Sequence, residues 1–113
     1  MKLLRIGEPG QERPAILDQD GVLRDVSGTV EDISGEALTP AGLAVLAGID
    51  LARLPAIAGR PRIGPCVGAV GKFICIGLNY SDHAAESNLP IPDEPILFMK
   101  ATSTLSGPND PDI

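Results

Sequence analysis

Glycine and proline interrupt this chain too often for long regular elements: 13 glycines and 11 prolines are spread through 113 residues. Proline removes a backbone donor and breaks helix interiors, and glycine supplies the backbone angles that tight turns need. The punctuation predicts short elements joined by many turns, hence a mixed, β-rich α+β fold and not a helical bundle. The shared core has to be aliphatic. Phe73, Tyr80 and Phe98 are the only aromatic residues, yet apolar residues make up 43% of the chain. That fraction argues for a globular protein over a disordered one.

Residues 2–6 read as a short strand, stopped by Glu8-Pro9-Gly10. Two apolar runs, residues 14–17 and 22–26, flank Asp18-Gln19-Asp20-Gly21, which is a hairpin signature. Thr39-Pro40 opens a helix, with Thr39 as N-cap and Pro40 at the first helical position. Leu43, Leu46 and Ala47 then recur at helical spacing, and Gly48 is a natural stop. A second helical turn is expected over residues 50–53. Leu54-Pro55 ends it, because the residue before proline avoids the helical region.

Arg60-Pro61-Arg62-Ile63-Gly64-Pro65 is an extended stretch and the best candidate boundary. Residues 1–65 then form a small β-rich module with one helix, and residues 66–113 begin a second domain. In that second part, residues 72–76 and 96–100 read as buried strands, with Cys75 as a small buried hydrophobe. Residues 79–95 between them read as a short helix and a loop kept extended by Pro90, Pro92 and Pro95. A turn-rich stretch through Asp110, Asp112 and Ile113 closes the chain. Two strands are too few for a second core. Residues 66–113 are therefore expected to be the start of a larger domain, completed by a partner or by further chain.

The formal net charge of −6 disfavours nucleic acid and anionic membrane surfaces, both of which reward clustered Lys and Arg. No apolar run approaches the roughly 18–20 residues of a membrane span, and the first residues lack the hydrophobic region of a signal peptide. A cytoplasmic setting is expected. Cys66 and Cys75 match no metal or redox spacing; a disulfide is open on spacing alone, but reduced thiols with structural roles are expected in the cytosol. Gly64, Gly68 and Gly71 lack the spacing and helix start of a phosphate-binding loop. No cluster of oxygen ligands for a hard cation stands out, and Asp93-Glu94 before Pro95 reads most simply as a solvated pair.

Chemistry concentrates in Ile76-Gly77-Leu78-Asn79-Tyr80-Ser81-Asp82-His83-Ala84-Ala85-Glu86, which holds the only histidine and the only tyrosine. His83 and Glu86 are three residues apart and share a helix face. A carboxylate bonded to one ring nitrogen fixes the tautomer and makes the other a better base. The same residues also fit an ordinary solvated helix start, with Asn79 or Ser81 as N-cap and Asp82 favourable in the first turn. Lys100, at the end of an apolar run, suits a hold on a carbonyl or carboxylate oxygen, or simply a charge carried to water on an apolar stem. Thr102, Ser103 and Thr104 follow with hydroxyls.

Three stretches together resemble the fumarylacetoacetate hydrolase family. They are Arg62-Ile63-Gly64-Pro65-Cys66-Val67-Gly68, then residues 71–86, then Glu94-Pro95-Ile96-Leu97-Phe98-Met99-Lys100-Ala101-Thr102-Ser103. The pattern Gly-x-Asn-Tyr-x-x-His-x-x-Glu followed by Glu-Pro-x-x-Phe-x-Lys carries the likeness, and bacterial members labelled ureidoglycolate lyase or 2,4-diketo-3-deoxy-sugar-acid hydrolase are similar. The resemblance implies that residues 66–113 begin a mixed β-sandwich roll. It implies a small oxo-acid substrate, a Mg²⁺ or Mn²⁺ ion that holds the substrate enolate, and a homodimer at full length. It makes His83 the base that activates water, Glu86 its orienting partner, and Lys100 the hold on a substrate oxygen. Asn79, Tyr80 and Ser103 become substrate contacts, and the helix bearing His83 a lid. The metal carboxylates are expected downstream of Ile113, so no metal ligand is expected within this chain and the 113 residues alone are expected to be inactive. The reaction implied is C–C hydrolysis of a 2,4-diketo acid. Ureidoglycolate cleavage, hydroxymuconate-type isomerisation or decarboxylation, and a non-catalytic N-terminal module are the alternatives.

Overall fold

The computed structural model describes residues 1–111, so Asp112 and Ile113 lie outside the described residues. The chain is a small α+β protein with two antiparallel sheets and one main helix. It forms two compact units, one from Met1–Val70 with the stretch that starts at Leu105, the other from Gly71–Thr104.

In the first unit, β1 (Lys2–Ile6), β2 (Arg13–Leu17) and β3 (Leu23–Asp25) form a sheet in that order. The register pairs Lys2 with Leu17 and Ile16 with Arg24. The β2–β3 turn is built by Asp18, whose Oδ1 accepts from the amides of Asp20 (3.0 Å) and Val22 (2.8 Å). Gly21 takes φ 77° there, a conformation glycine adopts without penalty. Both outer strands gain a bridge: Ile63 pairs with Ile6, and Ala56 with Arg24. The extended stretch around Arg62 thus covers the β1 edge, which would otherwise offer unpaired backbone groups.

The core lies between this sheet and α1 (Pro40–Ala47). Thr39 caps the helix as expected, its Oγ1 accepting from the Gly42 amide at 3.1 Å. Ile16, Val26, Ala37 and Leu46 are buried together, flanked by Leu3, Val30, Ile49, Leu51 and Leu54. Of the three helical positions expected to face inward, Leu46 is buried, Leu43 half-buried and Ala47 exposed. A 3-10 turn at Gly35–Leu38, for which the sequence carried no signal, packs against the Gly42 side of the helix.

A Cβ on Gly42 would overlap the Glu36 carbonyl oxygen and the Ala37 backbone. Alanine gains about 1 kcal/mol over glycine in helix propensity. Overpacking costs about 1–3 kcal/mol, and here the obstacle is backbone, which yields least. Gly42→Ala is therefore expected to destabilise the protein by about 1–2 kcal/mol, read as a lower urea midpoint. A raised midpoint would mean that the helix does not approach the turn so closely.

Five charged residues form an alternating chain in this unit. Arg5 Nε donates to Asp32 Oδ1 at 2.6 Å, and its Nη2 lies 3.6 Å from Glu12 Oε2. Arg62 Nη1 donates to Glu12 Oε1 at 2.9 Å. The other edge of the Arg62 fork grips Asp110, Nε to Oδ1 at 2.7 Å and Nη2 to Oδ2 at 2.5 Å. Asp110 also accepts from the Gly107 amide at 2.6 Å within its own turn, and the Arg62 fork ties that turn to the strands of the first unit. Gly107 is buried, and a Cβ there would meet the Ile63 carbonyl.

These partners set the acid response. Burial alone would raise the Glu12 carboxyl, but hydrogen bonds from Arg62 and from backbone amides, with the charge of Arg5, hold it below its ordinary 4.5. The Arg62 guanidinium, then the Gly107 amide, hold Asp110 below its ordinary 3.8. Asp18 is lowered by the Val22 amide and Arg24, and Asp25 by the Ser27 hydroxyl and amide. Each group binds its proton more readily in the unfolded chain than in the folded one. Their stabilisation is complete above the ordinary values and is lost as pH falls through the lower, folded ones. The unfolding midpoint is expected to be level above about pH 5 and to fall steadily below it. Arg62→Met flattens that fall; an unchanged acid slope in the variant would show that the chain of charges does not govern it.

In the second unit, β4 (Phe73–Gly77) pairs antiparallel with β5 (Ile96–Lys100), with α2 (Ser81–Glu86) in the connection and a 3-10 turn at Thr102–Thr104 after it. Both strands stand where the sequence predicts them, but neither is buried. Every residue of β5 is exposed, and β4 alternates between half-buried and exposed. An apolar run selects a strand but does not supply its cover, and this unit contains no second layer to pack on the pair. Cys75 is accordingly half-buried and not interior, Cys66 in the first unit is exposed, and both thiols are free. No helix among the described residues is long and apolar enough to cross a membrane.

Candidate active site

The segment bearing His83 leaves the end of β4 through a sharp turn. Leu78 takes φ 47°, a left-handed conformation that a leucine rarely adopts. Tyr80 is the last extended residue, at φ −126° and ψ 134°, so the capping position falls on it and not on Asn79 or Ser81. Its hydroxyl sits at the far end of a rigid ring and makes no capping bond. Asp82 supplies a local acceptor instead, its Oδ1 taking the His83 amide at 2.9 Å. At the other end the Leu89 amide donates to the Ala84 carbonyl (3.0 Å) and the Asn88 amide to the Ala85 carbonyl (3.1 Å). Asn88 stands between at φ 51°, the left-handed cap common after helices. Ala84, 1% exposed, is the one buried residue of α2.

All six candidate residues fall within Gly71–Thr104. His83 and Glu86 are exposed on α2, and among the described residues no hydrogen bond or ion pair joins them. Tyr80 is 71% exposed, and Asn79 and Ser103 are exposed as well. Lys100 pairs across the sheet with Phe73, and its ammonium lies 5.9 Å from the centre of that ring, within cation–π range. A cleft of about 340 Å³ opens beside the turn, lined by Ile76, Leu78, Asn79, Ile91, Asp93 and Glu94 among others. Asn79 is the only candidate on its wall. A larger cleft of about 460 Å³ in the first unit follows the edge of the core, past Ile16, Leu46 and Leu51, and holds none of the candidates.

Among the described residues, no three His, Cys, Asp or Glu side chains come together to hold a metal ion. These residues therefore do not fit a resident Mg²⁺ or Mn²⁺. They offer a water-accessible imidazole, a carboxylate one helical turn away, and an ammonium at a strand end. Such a set can take a proton from water and hold an anionic oxygen. The sequence reading missed Leu78 and Asn88, which set where α2 starts and stops. Asparagine after a helix is a recognisable left-handed cap, but nothing in the residue type announces Leu78.

Comparison with known proteins agrees with the pattern read from the sequence. Residues 72–112 match the family model for the C-terminal part of fumarylacetoacetate (FAA) hydrolase. A protein of Burkholderia multivorans named "Putative hydrolase" is 61% identical over 110 residues, covering 97% of this chain. Proteins of Burkholderia cenocepacia and Burkholderia lata carrying the same description are each 62% identical over 110 residues. The chain spans 39% of the length of each of these relatives. The likeness to the fumarylacetoacetate hydrolase family therefore holds, and residues 72–112 carry its signature.

Proposed function

We propose that this chain is the N-terminal part of a hydrolase of small oxo-acids, acting on the C–C bond of a 2,4-diketo acid. The observation that carries this reading is that the residues of the family pattern, from Asn79 through His83 and Glu86 to Lys100, lie in one compact unit inside the matched segment. In this reading His83 takes a proton from water, with Glu86 orienting the ring. The water oxygen attacks the carbonyl carbon farther from the carboxylate. The C–C bond beside it breaks, and its electron pair passes to the remaining oxo group as an enolate. The proton held by His83 returns to carbon, leaving a carboxylic acid and a 2-oxo acid. Lys100 holds an oxygen on which charge develops, and Asn79, Tyr80 and Ser103 contact the substrate.

In this reading Mg²⁺ or Mn²⁺ would be held by carboxylates downstream of Ile113. Residues 66–113 open the catalytic β-roll. Residues 1–65 are a non-catalytic module, a reading favoured by their own aliphatic core and by the lack of any candidate residue there. The full-length protein is a cytoplasmic homodimer.

The test is turnover by the full-length enzyme with an acylpyruvate, ureidoglycolate and a hydroxymuconate-type dioate, each with Mg²⁺, with Mn²⁺ and with a chelator. Fastest metal-dependent cleavage of the acylpyruvate is expected, with no turnover by the 113 residues alone. Urea release from ureidoglycolate with no diketo-acid cleavage would replace the C–C reading by the C–N one.

A further inference from the structure

We infer that Leu78 is a positioning residue, whose left-handed backbone turn sets the direction in which α2 presents His83; the inference rests on the reading of His83 as the base. Three observations converge. Leu78 takes φ 47°, where an L-residue with a Cβ is disfavoured and glycine or asparagine would sit freely. Only Asn79 and Tyr80 separate it from the first residue of α2, so a change in its backbone angles swings the whole helix. And α2 has little else to aim it: its N-cap makes no side-chain bond, and one residue, Ala84, is buried. Its far end is fixed by the Asn88 cap, which leaves the entry angle to Leu78. Strain retained at a strand-to-helix turn beside candidate chemistry is where a functional constraint is expected.

A second property separates this role from plain packing. Leu78 is half-buried and lines the cleft with Ile76 and Ile91, so its side chain also has an apolar setting. The two roles respond oppositely to substitution. Leu78→Ile keeps volume and hydrophobicity but puts a β-branched residue where φ is positive, so it disturbs the turn. Leu78→Asn loses the apolar contact but accepts the left-handed angles.

His83 and Tyr80 are the only histidine and tyrosine of these 113 residues, and the resonances lost in His83→Ala and the fluorescence lost in Tyr80→Phe identify their signals in the full-length protein. In the full-length protein, Leu78→Ile is expected to shift the His83 ring resonances and lower the Tyr80 anisotropy, with Leu78→Asn remaining close to wild type in both. The reverse order, with Leu78→Ile silent and Leu78→Asn perturbed, would assign Leu78 to packing and overturn the proposal. Equal, wild-type signals in both variants would overturn it too. Should Leu78→Ile fail to fold, Leu78→Gly decides: it relieves the angle and frees the turn, so Tyr80 anisotropy falls although the melting temperature does not. An unchanged anisotropy would count against the proposal. These signals are independent of turnover, so loss of the His83 assignment through an active His83→Ala enzyme would be recognised separately.

Discussion

Replacing His83, the proposed base, by alanine in the full-length protein is expected to lower kcat by on the order of 10²–10⁴-fold, the range that a positioned general base contributes. His83 is the only imidazole among these 113 residues, so no histidine of the matched segment stands beside it to take over the proton. It stands exposed on a six-residue helix with one buried residue, so among the described residues its removal opens no cavity, and the melting curve of the variant separates folding from chemistry. That separation matters, because a loss of activity with an unchanged melting curve is a loss of chemistry and not of folding. KM should move little if the ring acts on water and not on substrate. Glu86→Gln should lower kcat by less, since it leaves the imidazole in place and removes only the charge to which the proposal gives an orienting role. The measurement is kcat at saturating substrate for the three proteins. Wild-type kcat in His83→Ala would remove the base assignment.

The largest effect on stability is expected at Leu46. Leu46→Ala should cost about 3–5 kcal/mol, the upper part of the range for large-to-small core substitutions. The side chain is 1% exposed, and its buried neighbours are Ile16, Val26 and Ala37. Two of these are β-branched and stiff about χ1, and no aromatic ring lies in the cluster to tilt into the space. The cavity would therefore stay largely open. Small domains are stable by about 5–15 kcal/mol in all, so the variant should be partly unfolded at room temperature or denature in very little urea. Val45, one position earlier in the helix, is 56% exposed, and Val45→Ala should change stability by no more than about 0.5 kcal/mol. Similar losses at the two positions would show that α1 presents a different face to the sheet.

How much of this was legible in the sequence divides along the range of the interactions. Asp18-Gln19-Asp20-Gly21 builds its turn from its own side chain and its own glycine, and Thr39-Pro40 caps its own helix, so both could be read locally. The two strands of the second unit were equally plain as strands. Their exposure was not, because cover depends on other elements and not on the run itself. Nor was the link from Arg62 to Asp110, which joins opposite charges 48 positions apart among many that could have paired. The 3-10 turn at Gly35–Leu38 is held by one short backbone pattern and carries no periodic signal. In the candidate site, the residue types were readable because His83 and Tyr80 have no rivals. The placement of the cap on Tyr80 was hidden, since it follows from a backbone angle at Leu78 that a leucine does not advertise.

The grip of Arg62 on Asp110 has a consequence for the order of synthesis. Domains commonly fold from the amino end as the chain emerges from the ribosome. Here Met1–Val70 emerge first, but Asp110, Gly107 and the rest of the stretch that completes their unit are made only after all of Gly71–Thr104. Until then Arg62 has Glu12 and the Gly7 carbonyl, but not its fork partner. The unit begun before Gly71–Thr104 is completed only after it, and a ribosome that stalls within β5 holds a chain whose first unit is still unlatched.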